Sequence, residues 1–159
     1  MRGSRFAATA AVLGVLAVTA GSVGPATGNG NGGHGNGNGG DRVRVHSTNT
    51  EEAFVDVGEP DFSLGDEFVF TSDLTKHGTS VGHTGVVCTI TSVEREESQC
   101  VGTAWFRKGQ ITIQGLLAGE PERFEFPITG GTGAFEGASG TLVVKTLSDT
   151  EELLTFYLD

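Results

Sequence analysis

Thiols, imidazoles and a glycine run are the groups in this chain best suited to chemistry. Cys88 and Cys100 are its two cysteines, twelve positions apart. Two thiols make one disulfide or one reactive pair, and they cannot build a four-thiolate zinc site. Gly130-Gly131-Thr132-Gly133 opens a glycine-rich stretch that runs to Gly140. A nucleotide P-loop would end in Gly-Lys-Ser/Thr, which is missing here. The dinucleotide spacing also fails, because Gly131-x-Gly133 is followed by Gly137, one residue late. A strand pattern follows the loop, so no helix N-terminus stands ready for phosphate. The glycines serve a tight corner instead, with Phe135 plugging one end of a core. His46, His77 and His83 have no close ligand spacing, and no metal site is expected. The acid runs Glu94-Arg95-Glu96-Glu97 and Asp149-Thr150-Glu151-Glu152 lack the alternation around a Gly that a calcium loop needs. They read as solvated hairpin tips.

These groups sit in the last three quarters of a 159-residue chain of net charge −10. All 20 acids and eight of the ten basic residues fall after Gly40, which gives that part a charge of −12. Such a surface excludes nucleic acid and anionic membranes as partners. Residues 1–20 have the layout of an export signal: Arg2 and Arg5, then an apolar run from Phe6 to about Ala20. The run is too short to span a bilayer and no basic stop-transfer flank follows, so no membrane insertion is expected after processing. Residues 21–40 hold ten of the 26 glycines and the single His34, and little to bury; they read as a flexible tether. The expected order is a signal at 1–20, a linker at 21–40 and a secreted domain at 41–159.

That domain carries a two-residue rhythm almost throughout. Val43 and Val45 alternate with arginines, and Phe68 and Phe70 with Glu67, Val69 and Thr71. Val86, Cys88 and Ile90 share a face, as do Cys100, Gly102, Ala104 and Phe106. Ile111 with Ile113, Phe124 with Phe126 and Ile128, Leu142 with Val144, and Leu153 to Leu158 complete the series. About eight strands of roughly seven residues, joined by short turns, must be antiparallel neighbours. They close into an eight-stranded antiparallel barrel, with an open β-sandwich as the alternative. A barrel of this size is filled or holds one small ligand. A hairpin turning near Glu94–Glu96 pairs Ser92 with Glu96 and sets Cys88 opposite Cys100, within disulfide reach. In an oxidising compartment a disulfide is favoured over a reactive thiol pair.

The segment Pro127-Ile128-Thr129-Gly130-Gly131-Thr132-Gly133-Ala134-Phe135 resembles the corresponding loop of the dirigent and allene oxide cyclase barrel superfamily. Three further pieces fit in order: Leu64-Gly65-Asp66 through Ser72-Asp73-Leu74-Thr75, Val81-Gly82-His83-Thr84-Gly85, and Trp105-Phe106-Arg107-Lys108-Gly109-Gln110-Ile111-Thr112. The resemblance spans about residues 62–150. It implies an eight-stranded barrel, often a homo-oligomer, with an apolar lumen. Such barrels steer phenoxy-radical coupling or close rings on reactive substrates, and the cyclisation itself needs no cofactor, so none is expected. The physical logic is confinement of a reactive molecule in one conformer, helped by a group that moves a proton.

On that resemblance the lumen is expected to take an apolar small molecule against Phe68, Phe70, Phe106, Phe124 and Phe126. Asp73 is expected at the lumen mouth as proton donor or acceptor, with His83 sharing its proton. The chain departs from the family pattern at Ser72-Asp73, where dirigent proteins often have two acids, and at Ala134, where some active members have one. The competing readings are a secreted cyclase-like or coupling barrel, a non-catalytic binding barrel, and a filled structural barrel.

Overall fold

The computed structural model describes residues 41–58 and 62–159. The signal expected at 1–20 and the tether at 21–40 lie outside the described residues. Eight strands follow one another: β1 Arg42–Val55, β2 Glu67–Lys76, β3 Thr79–Ser92, β4 Glu97–Phe106, β5 Gly109–Ala118, β6 Arg123–Gly131, β7 Gly140–Thr146 and β8 Glu151–Leu158. A single 3-10 turn, Gly133–Phe135, interrupts the β6–β7 connection. Each strand pairs with its sequence neighbour, and β8 returns to β1 with Arg42 facing Tyr157. The sheet is a closed barrel, so the open sandwich is set aside. Closure pairs every strand on both sides, with the β5–β6 seam paired near its floor end alone.

The alternation read from sequence is the alternation of the barrel wall. Leu74 and Ile111 are wholly buried, and Val45, Cys100, Phe126, Leu154 and Phe156 join them in one core. Two strands, β1 and β3, reach 14 residues, twice the expected length. In β1 the apolar pattern stops at Val45, yet the ladder to β2 continues to Val55. A bulge between Asn49 and Glu51 takes up one residue, so inward positions are odd before it and even after it. Where β5 meets β6, three register pairs form, Ile111 with Gly131, Thr112 with Gly130 and Ile113 with Ile128. Pro127 follows on the β6 side, and it has no N–H to extend a ladder.

The barrel has two unlike rims. One gathers the starts of β1, β3, β5 and β7 with the glycine-rich loop, and serves as the floor. The other gathers the β1–β2, β3–β4, β5–β6 and β7–β8 connections, and serves as the mouth.

The thiols are joined: Cys88 and Cys100 face each other in β3 and β4, with Cα atoms 4.0 Å apart and an S–S bond of 2.04 Å. The expected turn register needs correction. Ser92 pairs with Glu97, not Glu96, because a shift enters after Ile90 and Glu96 takes a left-handed φ of 49° within the turn.

The floor loop explains its glycines. Gly133 has φ of 63°, and a Cβ there would collide with the Lys108 carbonyl oxygen. Close approach lets the Thr132 N–H donate to Gln110 O at 2.9 Å and the Ala134 N–H to Lys108 O at 2.8 Å. Phe135 is thereby held against Phe106, ring centroids 5.5 Å apart, and Phe106 meets Phe156 edge-on at 6.0 Å. Gly130, Gly131, Thr132 and Gly133 are in this sense a latch that closes the floor.

Candidate functional site

Above that floor the barrel is not filled. A cavity of about 560 Å³ runs from the middle of the barrel to the mouth. An apolar face comes from Ile113 of β5, Phe124 and Phe126 of β6, and Leu142 and Val144 of β7, with Phe70 of β2 and Val86 of β3 across the cavity. Phe124 and Phe126 meet edge-on at 5.5 Å. Beside Phe70, Val86 and Cys88 the lining of β1, β2 and β3 is polar. Asn49, Ser72 and Thr84 are register partners across β1, β2 and β3, and Ser47 lies two residues before Asn49. Ser47 and Ser72 are each only 3% exposed.

Five carboxylates ring the upper part: Glu52, Glu120, Glu122, Asp149 and Glu152. No Lys, Arg or His lines the cavity among the described residues. Glu152 is set deepest by its strand. It shares β8 parity with Leu154 and Phe156, which are core residues, and pairs with Ser47 on β1 and Thr146 on β7. Burial pushes its carboxyl above the usual 4.5. Asn49 links the polar wall to the mouth, its Nδ2 donating to Glu52 Oε2 at 2.6 Å. Its Oδ1 is buried and finds no donor among the described residues. An exchange of the two amide atoms would set oxygen against carboxylate oxygen, so this orientation is fixed by chemistry.

A second carboxylate shapes the rim without entering the cavity. Asp66 is fully buried and accepts from the Val57 N–H at 2.9 Å, the Ser63 N–H at 2.7 Å and the Ser63 hydroxyl at 3.2 Å. The Val57 N–H holds its carboxyl below the usual 3.8; burial pushes the other way, and the Ser63 and Gly58 donors add to the lowering. Asp66 thus clamps the β1–β2 connection, and Phe54, Phe62 and Phe68 cluster there with centroids 5.1 to 5.9 Å apart.

The expected site residues divide accordingly. Phe70, Phe124 and Phe126 line the cavity. Phe106 is buried in the floor, and Phe68, 38% exposed, belongs to the rim cluster. Asp73 and His83 do come together, as register partners on β2 and β3, but on the outer face. The lumen-mouth position expected for Asp73 is corrected by parity: Ser72 and Leu74 point inward, so the residue between them points out. His83 stacks on Trp105 at 5.2 Å, outside the barrel. Sequence reading missed Glu152, Glu52, Asn49, Ser47 and Ser72. The β8 alternation Glu152, Leu154, Phe156, Leu158 was the available signal for the first. Among the described residues no three His, Cys, Asp or Glu side chains stand together as a metal site.

A family model described as the allene oxide cyclase barrel like domain matches residues 41–158. Among solved structures, a pyocyanin demethylase is 26% identical, with a TM-score of 0.69 over 75% of this chain and 100% of that one. A nonspecific heme-binding cyclase, which catalyses a cycloaddition in neoabyssomicin biosynthesis, is 16% identical, with a TM-score of 0.61 over 75% of this chain and 65% of that one. A pterocarpan synthase dirigent protein is 20% identical, with a TM-score of 0.59 over 74% and 84%. No curated protein sequence matches the chain.

Proposed function

The chain belongs to the allene oxide cyclase barrel-like family, and on that premise we propose that it is a secreted barrel that binds an apolar small molecule in its cavity and steers an isomerisation or cyclisation there. The observation that carries this reading is the cavity itself, about 560 Å³ with an apolar wall and a desolvated carboxyl, Glu152, facing it. The volume falls in the ordinary range for small-molecule sites. It also weighs against a filled structural barrel.

The chemistry follows from the geometry. Phe124, Phe126, Leu142 and Val144 exclude water and restrict the ligand to few conformers, which lowers the entropic part of a unimolecular barrier. Glu152, its carboxyl raised by burial, takes a proton from one ligand atom and returns it to another. Ring closure or isomerisation keeps the atom count, so one group serves as both base and acid. Ser47 and Ser72 offer hydroxyls to a ligand oxygen or nitrogen. Asp73 and His83, on the outer face, are assigned no part in this step.

Export through residues 1–20, with 21–40 as a tether, completes the proposal; the Cys88–Cys100 disulfide supports it, since such bonds persist in oxidising compartments. The test is native mass spectrometry of the full chain recovered from the medium, followed by turnover of whatever co-purifies. Glu152→Gln is expected to lower turnover by about 100-fold, the scale of one acid–base group. Binding with undiminished turnover in that variant would remove Glu152 from the chemistry. Binding with no conversion by the wild type would leave a carrier.

A further inference from the structure

We infer that the cavity selects an organic cation: an apolar ring body that carries a protonated amine, held with the amine toward Glu52, Glu152 and Asn49 and the rings against Phe124 and Phe126. This rests on the reading of the cavity as a ligand site and names the class of ligand.

Three independent features converge on it. The first is charge. Five carboxylates face the cavity and its mouth, and no cationic side chain lines it to balance them. The nearest cation on β6, Arg123, is exposed and paired with Glu125 at 3.1 Å. A concave wall with charges of one sign concentrates ligands of the other, and it repels a fatty-acid or phenolate anion. The second is hydrogen-bond polarity. Asn49 commits one of its two amide N–H groups to Glu52 and leaves Oδ1 buried without a donor. Carboxylates in their ionised form also only accept. Ser47, Ser72 and Thr84 bring hydroxyls to this wall, yet the Asn49 Oδ1 still lacks a donor, and an ammonium brings up to three N–H groups. The Ser47 and Ser72 hydroxyls, on residues 3% exposed, adapt to either role. The third is the placement of the polar lining: Ser47, Asn49, Ser72 and Thr84 gather on β1, β2 and β3, interleaved with Phe70 and Val86, whereas Ile113, Phe124, Phe126, Leu142 and Val144 of β5, β6 and β7 form an apolar face. A ligand that satisfies both is polar at one end and ring-like at the other. The rings of Phe124 and Phe126 offer aromatic contacts to the ring body.

The experiment holds the hydrocarbon body fixed and changes only the head group. The full chain is titrated calorimetrically with 1-naphthylmethylamine, 1-naphthylmethanol and 1-naphthoate at pH 7 and low salt. The amine is expected to bind at least about tenfold tighter than the carboxylate, the effect of one partly screened charge contact, with the alcohol between them. Added salt should narrow the gap. The double variant Glu52→Gln, Glu152→Gln should bring amine and alcohol to within about twofold of each other, whereas Glu125→Gln, on the outer face, should keep the wild-type order. Carboxylate or alcohol binding as tight as the amine would overturn the inference and leave the cavity reading intact. An amine preference undiminished in the double variant would overturn the assigned position. Failure of all three probes at millimolar concentration would sink the cavity reading and this inference with it.

Discussion

The floor and the mouth of this barrel are built by the same eight strands with the same alternation, yet they are held in opposite ways. At the floor, inward positions are Leu74, Ile111 and Phe156, none more than 1% exposed, and Phe106 is wedged between two further rings. At the mouth, the inward positions of the same strands include Glu52, Thr146 and Glu152, and they surround open space. A cavity wall forgoes the close contacts that stabilise a packed core. Two staples replace them: the Cys88–Cys100 disulfide, toward the mouth ends of β3 and β4, and the Asp66 clamp on the β1–β2 connection. The barrel separates a packed floor from an open cavity along its axis, with packing below and covalent and polar ties above.

The sharpest way to break that comparison is to truncate one phenylalanine at each level. Phe156→Ala is expected to lower unfolding free energy by about 3–5 kcal/mol, and Phe124→Ala, half-buried on the cavity wall, by less than about half of that. Equal losses in urea denaturation would mean that the two ends are not differently packed. Removing the disulfide by Cys88→Ser with Cys100→Ser is expected to cost about 3 kcal/mol for a loop of this length. Hydrogen exchange should then rise at Val86–Ile90 and Ser98–Gly102 before it rises at the floor; uniform loss of protection would refute the local role of the staple. A glycine pair gives the next step down. Gly133→Ala at the floor meets both a left-handed φ and the Lys108 carbonyl, for about 2 kcal/mol or more. Gly119→Ala at the mouth has φ of 62° and no atom nearer than 4.0 Å, so only the backbone term, about 1 kcal/mol, applies.

The smallest effects are those of pH, and their signs differ between the two carboxyls. Asp66 has a folded pKa below its ordinary 3.8, so its contribution is complete above that value and is lost as pH falls through the folded value. Glu152 has a folded pKa above its ordinary 4.5, so its contribution is complete below 4.5 and is lost as pH rises through the folded value. Asp66→Asn should therefore destabilise at neutral pH, and Glu152→Gln should stabilise slightly there. Both differences should fade in strong acid. Denaturation at neutral and acid pH reads both, and a destabilising Glu152→Gln at neutral pH would contradict the burial described for that carboxyl.

Much of this architecture was legible because period-two alternation of apolar residues maps directly onto a barrel wall. Val86–Cys88–Ile90 and Cys100–Gly102–Ala104–Phe106 gave two facing strands and the disulfide between them. The site was less legible for the same reason. A rule that sends polar residues outward cannot find Ser47, Asn49, Ser72 and Thr84, which line the cavity. Glu152 was read with Asp149 and Glu151 as a hairpin tip, although its strand parity matched Phe156. The Asp73–His83 pair was correctly read as adjacent and misplaced by one face, since a single-residue shift of parity moves a side chain through the wall. The turn at Glu96 depended on a left-handed backbone that no side-chain pattern records.

The seam between the first and last strands has a practical consequence. The Leu158 N–H donates to the Asp41 carbonyl at 2.9 Å, so β1 sets out and β8 arrives on the floor side. A probe, surface or fused protein attached through Asp159 is therefore anchored at the pole opposite the cavity mouth, and immobilised material will keep that mouth turned toward the liquid.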